Sequence, residues 1–267
     1  MSRMSKAEES YSTAVERALS ILEAIAQRGS AMTHSEISRK LDIPKSSVTY
    51  LLRALEMCGY VRRERVTAGY RLGLKVLSLA RGVEFDSDIK GTALPVLERV
   101  VERCGLTAHL AVLDQGDAVY IEKVDSPGFI KMDTWVGKRM DLHSTGVGKA
   151  LVAFSSASEV DTLIKGRGFK KRTPRTIATH AGFLRELEKV RERGYAIDDE
   201  ENSLGARCVA VPVIDGFGKV LAAVGLSGTT SQIDKASVRK TAEIAKEAAR
   251  EISRQLARSP AARHRRN

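Results

Sequence analysis

The sequence predicts an α+β protein with an N-terminal winged helix-turn-helix, a linker helix and a second domain built on a mainly antiparallel sheet. Three observations lead to this fold class. Two short amphipathic helices with a tight break between them lie within Thr33–Glu56. A basic hairpin follows at residues 60–72. Pairs of β-like runs then alternate with helical patterns as far as residue 257.

The helices of the N-terminal domain are read from their start and stop signals. A first helix is expected to begin at a capping box of Thr13 and Glu16 and to end before Gly29. Thr33 fits the same kind of capping box at the start of the next helix. Pro44 suits the first position of the third helix, where a missing N–H costs nothing. The hairpin after it supplies the wing.

The third helix divides into two faces. Its apolar face carries Val48, Leu51, Leu52 and Leu55. The opposite face is cationic and rich in hydroxyl groups, as a DNA recognition helix requires, and we expect base-edge contacts from Lys45, Ser46, Ser47, Thr49 and Tyr50. Mainly phosphate contacts are expected from Arg53, Arg62, Arg63, Arg65 and Arg71. An ordinary helical hairpin with a solvated polar face is the alternative, and the basic wing argues against it.

Composition bounds the class of protein. The chain of 267 residues has room for two domains, and its net charge of +11 favours an anionic partner over a merely basic surface. Its three cysteines, Cys58, Cys104 and Cys208, form no CxxC pair, so neither a disulfide framework nor a zinc site is expected. The sequence shows no secretory signal and no apolar run long enough to span a bilayer. We therefore expect a cytoplasmic protein without membrane contact.

Domain boundaries follow from the change in pattern. We expect the DNA-binding domain at residues 11–73, a linker and dimerisation helix at 74–87, a second domain at 88–257 and a basic tail at 258–267. The apolar pattern of Leu74–Val83 is too broad for a free surface helix. Such a helix after a winged domain is expected to join subunits or to pack on the next domain.

The second domain reads as strand pairs beside helices. Strands are expected at 108–113, 118–124, 130–135, 208–214 and 220–226, and helices at 89–104, 147–154, after Ser158-Glu159, at 182–193 and at 237–256. The turn Asp114–Asp117 joins the first two strands. Mainly antiparallel pairing follows from these short connections.

The segment Leu142–Ala150 is rich in glycine and enters a helix. It is not a phosphate-binding loop, because Lys149 is followed by Ala150 and the first glycine is misplaced. What remains is a helix start whose backbone N–H groups can receive a carboxylate. A tight packing turn is the alternative.

Other polar clusters favour structural interpretations. His143, Ser144 and Asp141 are sequence neighbours without a nucleophile elbow, so catalysis is not expected. The acidic run Asp198–Glu201 is interpreted as a solvated loop rather than a metal site. Cys208 is expected to be a buried thiol that, with Ser227, can line one wall of a pocket. No cofactor is predicted.

The ordered motifs resemble those of the IclR family of bacterial transcription regulators. The N-terminal ones are Val15–Leu22, Leu41–Val48, Gly59–Val61 and Tyr70–Gly73. The C-terminal ones are Leu142–Ala150, Arg193–Glu201, Cys208–Val213 and Val224–Gly228. The resemblance covers nearly all of residues 11–257.

The resemblance implies a GAF-like effector domain and a linker helix used in dimerisation. It implies dimers or tetramers that bind palindromic operators in double-stranded DNA and respond to small carboxylates or aromatic acids. Carried over by position, the effector-binding residues are Gly146, Val147, Asp198, Cys208, Gly225 and Ser227. Two departures are Tyr50, where the family usually has arginine, and Gly225, where some relatives have serine, so a bulkier or less polar ligand is expected.

Taken together, the sequence predicts a ligand-responsive transcription regulator without enzymatic activity. A catalytic α+β domain tethered to DNA is one alternative, which lacks a nucleophile–base pair or a metal cluster in the sequence. A purely architectural DNA binder is another, and the long second domain argues against it.

Overall fold

The chain forms two compact units that meet between residues 84 and 85. The computed structural model describes residues 6–65, 67–82 and 87–258. The N-terminal unit contains α1 (Lys6–Arg28), α2 (His34–Leu41), α3 (Lys45–Met57), β1 (Val61–Arg63), β2 (Tyr70–Leu72) and α4 (Lys75–Arg81). The predicted order of three helices and a hairpin is confirmed.

The helix pair α2–α3 forms as its sequence predicts. Thr33 accepts the backbone N–H of Glu36 and the Glu36 carboxylate accepts the N–H of Thr33, which completes the capping box. Asp42 ends α2 in the left-handed region at φ 52°. Pro44 takes the cap position just before α3 rather than its first turn. The apolar faces bury Ile37, Val48, Leu51 and Leu52 together with residues of α1 and the hairpin.

The start of α1 differs from the expectation. The helix extends back to Lys6, so Thr13 and Glu16 lie within it and do not begin it. Its end at Arg28, before Gly29 with φ +66°, is as predicted. The error arises because a Ser/Thr-x-x-Glu pattern also occurs inside helices, where its hydroxyl has no free backbone N–H to cap.

The C-terminal unit contains a six-stranded antiparallel sheet in the order β5-β4-β3-β8-β7-β6. Its elements are α5 (Ser87–Cys104), β3 (Thr107–Asp114), β4 (Asp117–Val124), β5 (Arg139–Met140), α6 (Gly146–Val152), α7 (Ala157–Ile164), α8 (His180–Arg193), β6 (Ala196–Asp199), β7 (Ala206–Ile214), β8 (Val220–Thr229) and α9 (Val238–Arg258). Positive φ angles at Gln115 and Gly116 make the tight β3–β4 turn that was predicted. The predicted α+β class is confirmed.

Helices cover both faces of the sheet. α5 and α9 pack on one face against a core that includes Val209, Val211 and Val213 of β7. α6 and α8 pack on the other against Cys208 and Ala210 of the same strand. Because successive strand residues point to opposite faces, β7 contributes to two cores and reads as one continuous apolar run. None of the helices in the described parts of the chain has the length and apolar character to cross a membrane.

Two strands differ from the sequence prediction. Residues 130–135 are irregular rather than a strand, and their carbonyl groups at Met132 and Thr134 accept hydrogen bonds from the Lys123 ammonium instead of a neighbouring strand. The strand that pairs with β4 at this edge of the sheet is β5, which follows the irregular segment in the chain. β6 was not predicted because it has only four residues and includes a buried acid, Asp198. Parts of the predicted linker (residues 83–86) and the basic tail beyond residue 258 lie outside the described residues.

Candidate functional site

The recognition helix α3 separates polar from apolar residues as predicted. Lys45, Ser46 and Arg53 are exposed, and Tyr50 is 73% exposed. Ser47 and Thr49 are half-buried at the flank of this face. The exposed face is therefore continuous along the first three turns of the helix.

Thr49 also holds the helix pair together. Its hydroxyl donates to the Lys45 carbonyl at 2.9 Å and lies 2.6 Å from Nε2 of His34 on α2. The same imidazole nitrogen donates to the Lys45 carbonyl at 2.9 Å. His34 was not singled out in the sequence, since a lone histidine at a helix start carries no periodic signal. It helps to fix the angle between α2 and α3.

The wing presents its arginines unequally. Arg62 and Arg63 on β1 and Arg65 in the turn are exposed. Arg71 on β2 is half-buried and forms an ion pair with Glu64, whose carboxylate also accepts the Thr67 hydroxyl at 3.0 Å. The Thr67 hydroxyl, and then Arg71, hold the pKa of Glu64 below its usual range. Arg71 is thus already neutralised within the wing, whereas no ion pair holds the other three arginines within the part of the wing that the structure describes.

A cavity of about 130 Å³ lies in the C-terminal unit, between the α6 side of the sheet and two loops. Five of the six predicted effector-binding residues line it: Gly146, Val147, Asp198, Cys208 and Ser227. The remaining lining residues are Tyr120, Met132, Asp133, Thr134, Lys138, Met140, Thr145, Asn202, Ser203, Ala206 and Arg207. The sequence prediction therefore located one wall of the cavity and missed the other.

Strand register brings the predicted residues together. Asp198 of β6 pairs with Cys208 of β7, and Cys208 pairs with Ser227 of β8. Three side chains from three strands thus form one row across the sheet, as cross-strand neighbours do. The start of α6 lies directly over this row, where a Cβ atom on Gly146 would be 3.2 Å from the Cys208 sulfur.

Gly225 occupies a different place from the one the prediction gave it. It lies one row away, pairs with Ala210, and is not among the residues that line the cavity. A Cβ atom there would stand 2.7 Å from Cγ1 of Val147 and 3.3 Å from the Cys208 sulfur. The space above Gly225 is therefore filled by Val147, and it does not enlarge the cavity for a bulkier ligand.

Asp198 and Glu201 are buried, so the interpretation of this acidic run as a solvated loop was wrong. Oδ1 of Asp198 accepts the backbone N–H groups of Glu201 at 2.8 Å and Asn202 at 3.2 Å. Burial raises the pKa of Asp198 to about 7, against the opposing effect of Lys149. Among the described residues, no group of three or more His, Cys, Asp or Glu side chains is placed to hold a metal ion.

An ion pair lies behind Asp198. Lys149 of α6 is fully buried, and its ammonium donates to Oε1 of Glu201 at 2.6 Å and to the carbonyl of Ile197. Oε2 of Glu201 is buried without a hydrogen-bond partner in the described structure. Burial raises the pKa of Glu201, while Lys149 opposes the rise. Lys149 therefore fastens α6 to β6 and to the loop that holds Asp198.

Cys208 and Tyr120, which also line the cavity, are uncharged. Burial raises the pKa of the Cys208 thiol to about 12, so the thiol keeps its proton. Burial likewise raises the pKa of the Tyr120 phenol. His109 lies under Tyr120 with ring centroids 4.4 Å apart, and burial lowers its pKa to about 3, so its ring is neutral at physiological pH. Tyr120 lies in the continuous apolar run of β4, which predicts a buried strand residue but gives no sign of a pocket.

The cluster Asp141, His143 and Ser144 is not a hydrolytic set. His143 contacts the carbonyl of Lys170 at 3.1 Å, and Asp141 pairs with Arg172 at 2.5 Å. The Ser144 hydroxyl is buried and has no partner in the described structure. His143 and Asp141 thus bond to different neighbours and the Ser144 hydroxyl bonds to neither of them, so the three do not form one hydrogen-bonded set.

Both units match one family. Residues 14–65 match the IclR helix-turn-helix domain, and residues 85–254 match the C-terminal domain of the bacterial transcriptional regulator IclR. The chain belongs to the IclR family. The resemblance stated from the motifs is confirmed, and so is the absence of an enzymatic class, since the relatives are named transcriptional regulators and repressors.

IclR relatives align along most of their length. The transcriptional regulator XynR of Escherichia coli is 35% identical and covers 91% of this chain and 96% of its own. The repressor AllR of Escherichia coli is 30% identical over 91% of this chain and 90% of its own. The crystal structure of Thermotoga maritima IclR superposes with a TM-score of 0.73 at 34% identity, covering 91% of this chain and 98% of that one. This IclR-family chain is thus a transcription regulator with a helix-turn-helix domain and an effector-binding C-terminal domain.

Proposed function

We propose that a small organic acid controls the binding of this regulator to its operator. The observation that carries the proposal is the row of Asp198, Cys208 and Ser227 beneath the start of α6, all lining one cavity. A regulated DNA-binding protein needs a ligand site that is separate from its DNA face, and this cavity lies in the other compact unit.

The polar groups of the cavity favour a carboxylate with a second polar group. In the described structure, Thr145 caps the Gly148 N–H at 3.1 Å, and no hydrogen bond uses the N–H groups of Gly146 and Val147. These N–H groups at a helix start suit an anion. Both hydrogen bonds that Asp198 accepts in the described chain end on Oδ1, which leaves Oδ2 for a ligand hydroxyl. The effector would thus be held at both ends.

The cavity size limits the ligand. A volume of about 130 Å³ corresponds to roughly four water molecules at about 30 Å³ each. A short aliphatic acid or a small aromatic acid fits this size, and a nucleotide or peptide does not. An IclR homolog from Microbacterium hydrocarbonoxydans, with the same fold at a TM-score of 0.76 and 24% identity over 92% of this chain and 100% of that one, was crystallised in complex with 4-hydroxybenzoate. That acid is a suitable first probe here.

The exposed side chains of α3 and the wing are proposed to bind the operator. Lys45, Ser46 and Tyr50 are proposed to contact base edges, and Arg65 is proposed to contact phosphate. Ser47, Thr49, Arg53, Arg62, Arg63 and Arg71 complete the proposed contacts. Because Arg71 is paired with Glu64, its contribution should be the smallest among the arginines of the wing.

We propose that the protein self-associates and that it therefore binds a palindromic operator. Leu74, Leu77 and Leu79, at the start of and within α4, are 79%, 67% and 57% exposed. Exposed apolar patches of this kind mark interaction surfaces. A homodimer, or a tetramer formed from two such dimers, would place two recognition helices on two half-sites. The proposed compartment is the cytoplasm, where operators are found.

The DNA part of the proposal is tested with paired variants. The operator is first selected from random double-stranded DNA by the wild-type protein. Lys45→Ala should then lose affinity mainly for the selected site, while Arg65→Ala should weaken operator and random DNA alike and reduce the salt slope by about one unit. Arg71→Ala serves as the matched wing control. Equal losses on both kinds of DNA for Lys45→Ala and Arg65→Ala would contradict this division of roles.

The effector part is tested by thermal shift with pyruvate, benzoate and 4-hydroxybenzoate. An acid that binds should raise the melting temperature of the C-terminal unit and change operator affinity. Ser227→Ala and Asp198→Asn should reduce the shift, whereas Ser155→Ala, outside the cavity, should not. If no acid changed either stability or operator affinity, the proposed effector class would be rejected.

A further inference from the structure

The outer wall of the cavity is the irregular segment Met132–Lys138. Four of its residues line the cavity: Met132, Asp133, Thr134 and Lys138. Its backbone is held by β4, because the ammonium of Lys123 on that strand donates to the carbonyls of Met132 at 3.1 Å and Thr134 at 2.7 Å. The Thr134 hydroxyl also lies 2.7 Å from Nε2 of the buried His109. The segment is therefore tied to the sheet, and the side chain of Lys138 is placed at the cavity wall.

Lys138 is a partly dehydrated cation with a weak counter-charge. Its side chain is 23% exposed, and its only close carboxylate within the described structure is Asp133, at 3.9 Å and itself 98% exposed. The ammonium also donates to the backbone carbonyl of Asp133 and lies 4.3 Å from the centroid of the Trp135 ring. An exposed ion pair at this distance contributes little, so the charge is left largely uncompensated.

Nearby cations increase this imbalance. Burial lowers the pKa of Lys138, Asp133 opposes the fall, and Arg172 and Lys123 add to it. The second lining cation, Arg207, is committed elsewhere, because it pairs with Asp199 and donates to the carbonyl of Ile233. Lys123 is committed to two carbonyls and to Asp125 at 3.0 Å. Lys138 is thus the cation of the cavity wall with room for another anion.

We propose that Lys138 makes the cavity select anionic ligands, its ammonium group binding the carboxylate of the effector. The inference rests on the proposed function, since it names the charged residue of the same site. Lys138 lies outside the motifs that carry the family resemblance, and it supplies a full charge that the predicted residues Gly146, Val147, Cys208 and Ser227 lack. A carboxylate would be preferred over the isosteric amide because only the anion gains this charge-assisted bond.

The test compares acids with their amides in matched variants of the full chain. The probes are pyruvate, benzoate and 4-hydroxybenzoate, each paired with its amide, and affinities are measured by calorimetry. Lys138→Met and Lys138→Gln should weaken the best-binding acid by about tenfold or more and leave amide affinity within about twofold. Lys138→Arg should restore most of the loss. Lys131→Met is the control, because Lys131 is in the same loop but does not line the cavity.

Folding of each variant is followed by circular dichroism in urea, because the Lys138 ammonium lies 4.3 Å from the Trp135 ring and its loss would change the emission of that tryptophan directly. If the wild type prefers acids and both neutral variants at Lys138 bind them as tightly as the wild type, the inference about Lys138 is overturned while the proposed effector class stands. If the wild type binds none of the three acids, the proposed effector class fails and the inference fails with it. A tenfold loss in Lys131→Met equal to that in Lys138→Met would also overturn the inference, since the effect would then be general charge.

Discussion

The two units place their functional side chains in opposite ways. In the N-terminal unit most of the proposed DNA contacts are exposed, and all come from one helix and one hairpin that are close in sequence. In the C-terminal unit the cavity is lined by β4, β5, α6, β6, β7, β8 and two loops, and Asp198 and the Cys208 thiol are buried. A face for a large polymer can be built on one helix, whereas a small-molecule site needs walls on all sides. The two sites therefore differ in what a substitution should cost.

The largest effect is expected for Lys149→Met. Removing this ammonium leaves Glu201 buried without its partner, which should lower the free energy of unfolding of the C-terminal unit by about 3–5 kcal/mol. Lys45→Met, on the exposed face of α3, should change the free energy of unfolding of the N-terminal unit by less than about 0.5 kcal/mol, measured by urea unfolding followed by circular dichroism. Urea unfolding followed by Trp135 emission reports on the C-terminal unit alone, since the chain has one tryptophan.

A double variant tests whether the loss of stability comes from the unpaired charge of Glu201. Lys149→Met combined with Glu201→Leu removes both charges and should recover much of the loss, because a buried ion pair is replaced by apolar side chains. Equal unfolding free energies for the wild type and Lys149→Met would show that the buried pair contributes nothing and would break the contrast between the units.

The next effect concerns Gly225. Gly225→Ala should destabilise the C-terminal unit by about 1–3 kcal/mol, since its Cβ atom would stand 2.7 Å from Cγ1 of Val147. Gly128→Ala is the matched control, because a Cβ atom there meets no atom within 4 Å. Adding Val147→Ala to Gly225→Ala should relieve the overlap. A neutral Gly225→Ala would instead mean that this space can accept a side chain, as in relatives with serine.

Sequence reasoning was strongest where structure depends on near neighbours. The capping box at Thr33 and the apolar spacing of Val48, Leu51 and Leu52 involve residues at most four positions apart, and the structure confirms them. The start of α1 was missed because the same Ser/Thr-x-x-Glu pattern occurs inside a helix. Local pattern thus predicted the helix-turn-helix but not every boundary.

The cavity could be predicted only in part. The resemblance supplied Asp198, Cys208 and Ser227, but their alignment across three strands depends on register, which the sequence does not show. Lys138 was missed because it lies in an irregular segment, just after the strand that was predicted at 130–135. Tyr120 was missed because its sequence pattern is that of an ordinary strand residue. Burial of Asp198 was missed because a run of four acids is typical of a solvated loop.

The third prediction uses the pKa of Asp198, which burial raises to about 7. If a carboxylate binds only when Asp198 is protonated, affinity should be about tenfold weaker at pH 8 than at pH 6. Asp198→Asn should remove this dependence. Calorimetry with the best-binding acid at several pH values provides the measurement, and a pH-independent affinity in the wild type would show that Asp198 does not need its proton to bind.

The raised pKa of Asp198 also predicts how the stability of the ligand-free protein changes with pH. Because the folded-state pKa of Asp198 lies above that of an unfolded aspartate, the folded protein holds a proton that the unfolded chain has released between about pH 4 and 7. This contribution to stability is present at low pH and is lost as the pH rises through 7. Urea unfolding of the wild type at pH 6 and pH 8 should show this fall, and Asp198→Asn should reduce it.

The smallest effect is expected from the capping box, a motif that occurs in both units. Thr33 with Glu36 and Ser156 with Glu159 form capping boxes at the starts of α2 and α7. Thr33→Ala and Ser156→Ala should each cost about 1 kcal/mol locally, measured as faster amide hydrogen exchange in α2 or α7. Only Thr33→Ala should weaken DNA binding, because α2 supports the recognition helix through His34 and Thr49. Reduced DNA affinity in Ser156→Ala would mean that order in α7 reaches the DNA face, and the two units would then be energetically coupled even without effector.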